Sequence, residues 1–225
     1  MVEVVVFAEG QTEEKFIKQV VAPSVRHLEV FVKPQMLNTS KTSKGGAISL
    51  DRLKFNARNT LRQNSHLVLS TFLDLYALDT DFPAFEEAKN MVNVYKRVKC
   101  LETALHNEIT SYVGCRSDRF LPYIQPYEYE GLLFSDVEIL STIEPNWSVS
   151  LLSLKEVIAS VESPEHINDG YDTKPSKRLE NLLSPKYKKT THGPRAAERI
   201  TLSVIERECS HFKTWMDSLR SLSSL

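Results

Sequence analysis

The sequence predicts an α/β layer fold with a mostly parallel central sheet and a helical C-terminal extension. Three observations carry this. Apolar, β-branched runs alternate with segments whose apolar residues recur at helical spacing, in the order β-α-β-α-β-α-β-α up to about residue 145. The first of these runs is apolar almost throughout rather than at every second position, as expected of a parallel strand covered on both faces. After residue 145 the pattern changes to helical stretches separated by polar loops.

Residues 2–8, VEVVVFA, give the first strand. Gly10 ends it and allows a sharp turn. Thr12 is expected to cap the next helix, with Glu13 and Glu14 favouring the positive end of its dipole. Phe16, Ile17, Val20 and Val21 supply the apolar stripe, and Pro23 bends or ends the helix. Residues 29–37, EVFVKPQML, make a second strand that Pro34 pushes toward an edge. NTSKTSKGG reads as a polar loop and residues 48–63 as a basic amphipathic helix. HLVLSTFLDLY holds a third strand ending at Asp74, followed by the loop ALDTDFP. Val94, Val98, Leu101, Leu105, Ile109 and Val113 predict a helix over 94–113. FLPYIQP is a short fourth strand, and YEYEGLLFSD leads into a helix. LLSLKEVIASV, PSKRLENLLS and RAAERITLSVIERECSHFKTWMDSLRSL are the later helical stretches. The chain thus divides into an α/β domain, 1–145, and a helical extension with a basic loop, 146–225.

Composition narrows the function classes. Lys and Arg number 28 against 29 Asp and Glu, so overall charge selects no partner and only local clustering can. Cys100, Cys115 and Cys209 are far apart, without metal-ligand spacing, which argues against a disulfide framework or structural zinc. MVEVVVFAEG lacks a basic start, and no run approaches the ~20 apolar residues of a membrane helix. A soluble, cytoplasmic chain with no membrane partner is expected. There is no Gly-rich phosphate loop, so any ATPase must be a separate chain.

In an open α/β sheet, functional groups collect at the carboxyl ends of the strands. Glu9 follows strand one, Asp74 with Asp79 and Asp81 follows strand three, and Glu128 with Glu130 follows strand four. Carboxylates converging there repel one another unless a cation joins them. Magnesium or manganese, binding through oxygen, is the natural candidate. Helix-dipole and turn chemistry would also account for Glu13, Glu14, Asp79, Asp81, Glu128 and Glu130; Glu9 and Asp74 have no such explanation. Positive charge gathers at Lys174, Lys177, Arg178, Lys186, Lys188, Lys189, His192 and Arg195, with Tyr171 and Tyr187 among them. Such a loop can grip a phosphate backbone and supply a lysine, Lys189 or Lys177, to a transition state, or it can be solvated surface charge. SKTSKGG with Arg52, Lys54 and Arg58 forms a weaker basic cluster.

AEGQTEEKF resembles the first motif of Toprim domains, a fold shared by topoisomerases, primases and OLD-family nucleases, and is most similar to the OLD branch. LSTFLDLYALDTDFP, PYIQPYEYEGLLFSD and HGPRAAERITLSVIERECSHFKTWMDSL resemble a Toprim-like family associated with AAA- or ABC-type ATPases, so the likeness covers most of the chain. It implies a Toprim-like Rossmannoid fold and a metal-dependent nuclease of DNA or RNA, acting with a separate ATPase in prokaryotic anti-phage defence. Glu9 then matches the Toprim glutamate, Asp74 the first aspartate of the Asp-x-Asp motif, and Glu13 the second acid of OLD-type nucleases. Tyr76 stands where the second aspartate is expected, so Asp81, or failing it Asp79, would return from the loop. The resulting metal set is Glu9, Glu13, Asp74, Asp81 and Glu130, with Glu9, Asp74, Lys189 and Lys177 catalytic. Lys174, Arg178, Lys186, Lys188, His192 and Arg195 would contact nucleic acid. Two other readings stay open: a non-catalytic Toprim scaffold regulating an ATPase, and a receiver-like fold with Asp74 as phosphoacceptor. Assembly as a homo-oligomer is open as well.

Overall fold

A computed structural model describes residues 1–37, 48–167, 170 and 172–224. The polar loop over 38–46 and Tyr171 lie outside the described residues. The chain runs β1 (Val2–Ala8), α1 (Gln11–Phe16), α2 (Ala22–Val25), β2 (Val30–Met36), α3 (Leu50–Gln63) and β3 (Val68–Asp74). It continues through α4 (Phe85–Ala88), α5 (Val94–Val113), β4 (Phe120–Leu121), β5 (Ile124–Gln125), α6 (Val137–Leu140) and α7 (Leu151–Ala159). It finishes with α8 (Pro175–Leu182), α9 (Lys189–Ile200), α10 (Leu202–Glu208) and α11 (Ser210–Ser221).

Every described strand pairing is parallel. β1 takes β2 on one side, with Val6 opposite Pro34, and β3 on the other, with Ala8 opposite Phe72. β4 and β5 both add to β3, giving the order β2-β1-β3-β4. Pro34 is therefore on an edge strand, where its missing N–H costs no ladder bond. The expected fourth strand is split because Pro122 cannot donate; Tyr123 N–H bonds the Thr71 hydroxyl instead, at 2.9 Å. The chain leaves β1 for β2 in one direction and reaches β3 on the other side. The gap beyond the carboxyl ends of β1 and β3 is thus the switch point at which open α/β sheets present functional groups.

Alternation along the strands feeds two cores. Val4, Val6, Ala8, Val68 and Phe72 face one side, with Phe16, Ala196, Phe212 and Trp215. Val5, Phe7, Leu69 and Leu73 face the other, with Leu53, Val98, Leu101 and Leu105 of α3 and α5. On the first side Trp215 stacks on Tyr123 at 4.9 Å, and its indole N–H donates to Ser70 Oγ at 2.9 Å. Truncating such a buried aromatic costs about 3–5 kcal/mol. The helical segment after residue 145 hence shares a core with the sheet, and residue 145 marks a change of pattern rather than of packing.

Two local features depart from expectation. Gly10, not Thr12, precedes the first helical turn; Thr12 is buried and makes no cap bond. The backbone stays helical from Gln11 to Leu28, with a wider π-turn over Ile17–Val21 just before Pro23. α9 begins at Lys189, so Gly193 and Pro194, read as a turn, lie inside a helix. Pro194 has no N–H for the carbonyl of Thr190, four residues earlier, and that oxygen accepts Lys15 Nζ at 3.0 Å. The helix-breaking residue thereby supplies a tie between α9 and α1.

Candidate functional site

β1 ends at Ala8, so Glu9 is the first residue beyond the strand, while β3 ends on Asp74 itself. Because β1 and β3 are neighbours in parallel register, the two carboxylates arrive at one edge. Glu13, in the first turn of α1, is buried and curls back toward Gly10. Gly10 has φ −151°, extended backbone open to any residue, so the turn itself does not require glycine. A Cβ there would meet Glu13 Oε2 at 3.2 Å, a tight contact that the end of the Glu13 side chain would have to relieve by shifting a few tenths of an ångström. Glu128 and Glu130 come from the segment after β5 and are 4% and 0% exposed.

The electrostatics follow from putting these acids together. Burial, then the Glu13 charge, lifts Glu9 from 4.5 to about 7, and one Glu9 oxygen, Oε2, is buried without a hydrogen-bond partner. Burial followed by the charges of Glu9, Glu13 and Glu130 pushes Asp74 well above the usual carboxylate range. Its Oδ1 accepts the Tyr129 N–H at 2.8 Å. Burial also raises Glu13, and lifts Glu130 to about 7 against the pull of Lys189.

Lys189, the first residue of α9, is the cation among them. Its Nζ lies 3.2 Å from Glu130 and 3.8 Å from Glu128. Burial works against its charge, but Glu130, Glu128 and Asp74 outweigh burial and hold the ammonium protonated above its ordinary range. Lys174 pairs with Glu128 at 2.9 Å, and the Ser176 N–H donates to the other oxygen. Burial would raise Glu128; Lys189, Lys174 and Ser176 together bring it below its usual value. Glu128 is thus held in its ionised form, while Glu9, Glu13, Asp74 and Glu130 resist ionisation.

A family model for a domain of unknown function, DUF4276, matches residues 8–220. The chain belongs to the DUF4276 family. No curated protein and no solved structure matches it. The DUF4276 match contains the whole acid cluster and Lys189, so the site lies within the family domain.

Within this DUF4276 chain, the expected residues divide clearly. Glu9, Glu13, Asp74, Glu130 and Lys189 come together. Asp81 does not join them: its Oδ2 accepts the Leu50 N–H at 2.9 Å, satisfying an open donor at the start of α3. Asp79 bonds the Thr80 N–H at 2.7 Å. Neither loop acid therefore stands in for the second aspartate that the resemblance leads one to expect at Tyr76. Lys177 pairs with Glu180 at 2.7 Å along α8. His192 is buried. Its Nδ1 accepts the Lys188 N–H at 2.9 Å, and the ring lies edge-on to Trp147. Burial, with Lys188 and Arg195 nearby, holds its pKa below the ordinary value. Arg195 pairs with Glu144, and Arg178 donates to the Thr173 carbonyl. Lys186 and Lys188 are exposed.

The structure adds Tyr129 and Tyr187. Tyr187 Oη lies 3.4 Å from Glu130, and the buried Tyr129 hydroxyl has no partner. Tyr187 stands out in the sequence only as an aromatic among lysines, and Tyr129 carries no signal beyond the acids flanking it. Two cavities of about 350 and 1020 Å³ between α5 and α11 touch none of these acids. The site is defined by its chemistry, with Lys189 in its midst, rather than by open volume.

The donors fit a hard cation: all are oxygens, and a buried carboxylate oxygen lacks a partner. As they stand, no three Asp, Glu, His or Cys side chains among the described residues form a ready-made metal cage.

Proposed function

We propose that the chain is a divalent-metal-dependent phosphodiesterase of nucleic acids, of the Toprim type its motifs resemble, acting beside a separate ATPase in prokaryotic defence. The observation that carries this reading is the unpartnered, buried Glu9 oxygen among Glu13 and Asp74, at the switch point of a parallel sheet. Glu9, Glu13 and Asp74 would hold magnesium or manganese. Such an ion polarises a phosphoryl oxygen and acidifies a bound water. With a pKa of about 7, Glu9 can also exchange a proton at neutral pH. Lys189 is charged and can donate to a phosphoryl oxygen. The ATPase and the defence role rest on the resemblance alone. No helix among the described residues is long and apolar enough to cross a membrane.

The test is cleavage of DNA and RNA by the purified chain with magnesium or manganese. Glu9→Gln and Asp74→Asn should each abolish it; undiminished cutting by both variants removes the mechanism.

Asp81's bond to Leu50 favours a second reading, a non-catalytic scaffold subunit, because it leaves Tyr76 without a replacement acid. Calorimetry separates the two. Absence of divalent-ion binding at millimolar concentration, with retention of an ATPase partner, selects the scaffold.

A further inference from the structure

We propose that Tyr76 and Tyr127 form a stacking shelf for an unpaired base, which makes single-stranded nucleic acid the substrate class. The inference rests on the nucleic-acid reading above. Tyr76 is 39% exposed in the turn that follows Asp74. Its ring lies 6.0 Å from that of Tyr127, inclined by 42°. Tyr127 has φ +59°, a left-handed conformation that costs a residue with a Cβ on the order of 1 kcal/mol and clusters at functional sites. The Tyr127 carbonyl also accepts the Tyr76 N–H at 3.3 Å, so the two backbones are tied as well as the rings.

Charge continues from this shelf into the site. Lys174 Nζ lies 5.6 Å from the centre of the Tyr76 ring and 2.9 Å from Glu128, and Glu128 lies 3.8 Å from Lys189. An aromatic face with a lysine on one side suits a nucleotide, whose base stacks while its phosphate meets the ammonium. In a duplex the base faces are already covered by their neighbours. A shelf beside the acids therefore selects strands whose bases are unstacked. It also gives Tyr76 a role at the position where the resemblance leads one to expect an aspartate.

The test is fluorescence anisotropy in EDTA, with short labelled single strands of DNA and of RNA and the matching duplexes. Single strands of one or both sugars should bind more tightly than duplex. Tyr76→Ala should weaken single-strand binding roughly 5- to 100-fold, Tyr76→Phe should retain it, and duplex binding should be unchanged by either. An abasic residue at the stacked position should weaken the wild type and have little further effect on Tyr76→Ala. Equal binding by Tyr76→Ala and wild type, equal losses on single strand and duplex, or no binding of any strand would overturn the shelf. Because no metal and no cleavage enter the measurement, the two readings fail separately. Stacking without metal-dependent cutting removes only the phosphodiesterase, and cutting with unaltered Tyr76→Ala binding removes only the shelf.

Discussion

Replacing Glu9 by glutamine keeps the shape of the side chain and removes its charge, so it measures what the acid cluster costs the fold. In the unfolded chain this carboxyl titrates near its ordinary value of 4.5; in the folded protein burial and Glu13 raise it to about 7. Between those values folding takes up a proton, and stability falls as pH rises. Below the window Glu9 is protonated in both states and contributes nothing. Above it the fold carries a buried charge. At about 1.4 kcal/mol per tenfold change in proton affinity, the penalty is roughly 3 kcal/mol. Urea denaturation in EDTA at about pH 4 and about pH 8.5 reads this directly. Glu9→Gln should match the wild type at the lower pH and gain roughly 3 kcal/mol at the higher, a rise in Tm on the order of 6–12 °C for a chain of this size. Adding manganese at the higher pH should stabilise the wild type and leave the variant unmoved. A stability change independent of pH, or a glutamine variant weaker than wild type at high pH, would refute the reasoning.

Lys189→Met leaves the fully buried Glu130 without its cation; the lysine side chain is 42% exposed, so solvent screening limits the loss of stability at neutral pH to about 1–2 kcal/mol, less at pH 5 where Glu130 takes up a proton. Urea titrations at the two pH values check it, and a loss of equal size at both would show that packing rather than charge is at stake. Gly193→Ala would ordinarily gain up to about 1 kcal/mol in a helix. Here the new Cβ would sit 2.8 Å from Tyr187 Oη and 3.1 Å from Thr12 Cγ2, so a net loss of roughly 1–3 kcal/mol is expected in the same assay. A stabilised variant would show that the contact between α9 and α1 is looser than described.

Elements governed by neighbouring residues were legible in the sequence. α5 runs from Val94 to Val113 as its periodicity predicts, because Asn93 accepts the Lys96 N–H at one end and Gly114 takes φ +70° at the other. Pro34 identified an edge strand, and the apolar runs of β1 and β3 identified strands buried on both faces. Glu9 and Asp74 were visible because an acid ending an apolar strand has no local purpose. What escaped depends on contacts between distant segments. Asp81 caps a helix that begins 31 residues earlier, which composition cannot distinguish from a loop acid free to bind a cation. Gly193 and Pro194 carry a turn signature, yet tertiary packing keeps them helical. The inward face of His192 becomes apparent only once Trp147 lies against it.

Lys189 has a consequence for synthesis. The acids it serves are made first, the last of them, Glu130, about 60 residues before the lysine. At roughly 5–20 residues per second, several seconds separate the emergence of Glu130 from that of its counter-ion. Through that interval the nascent sheet edge must either take up protons or stay open to water. The edge closes in its final form only when α9 folds back against α1.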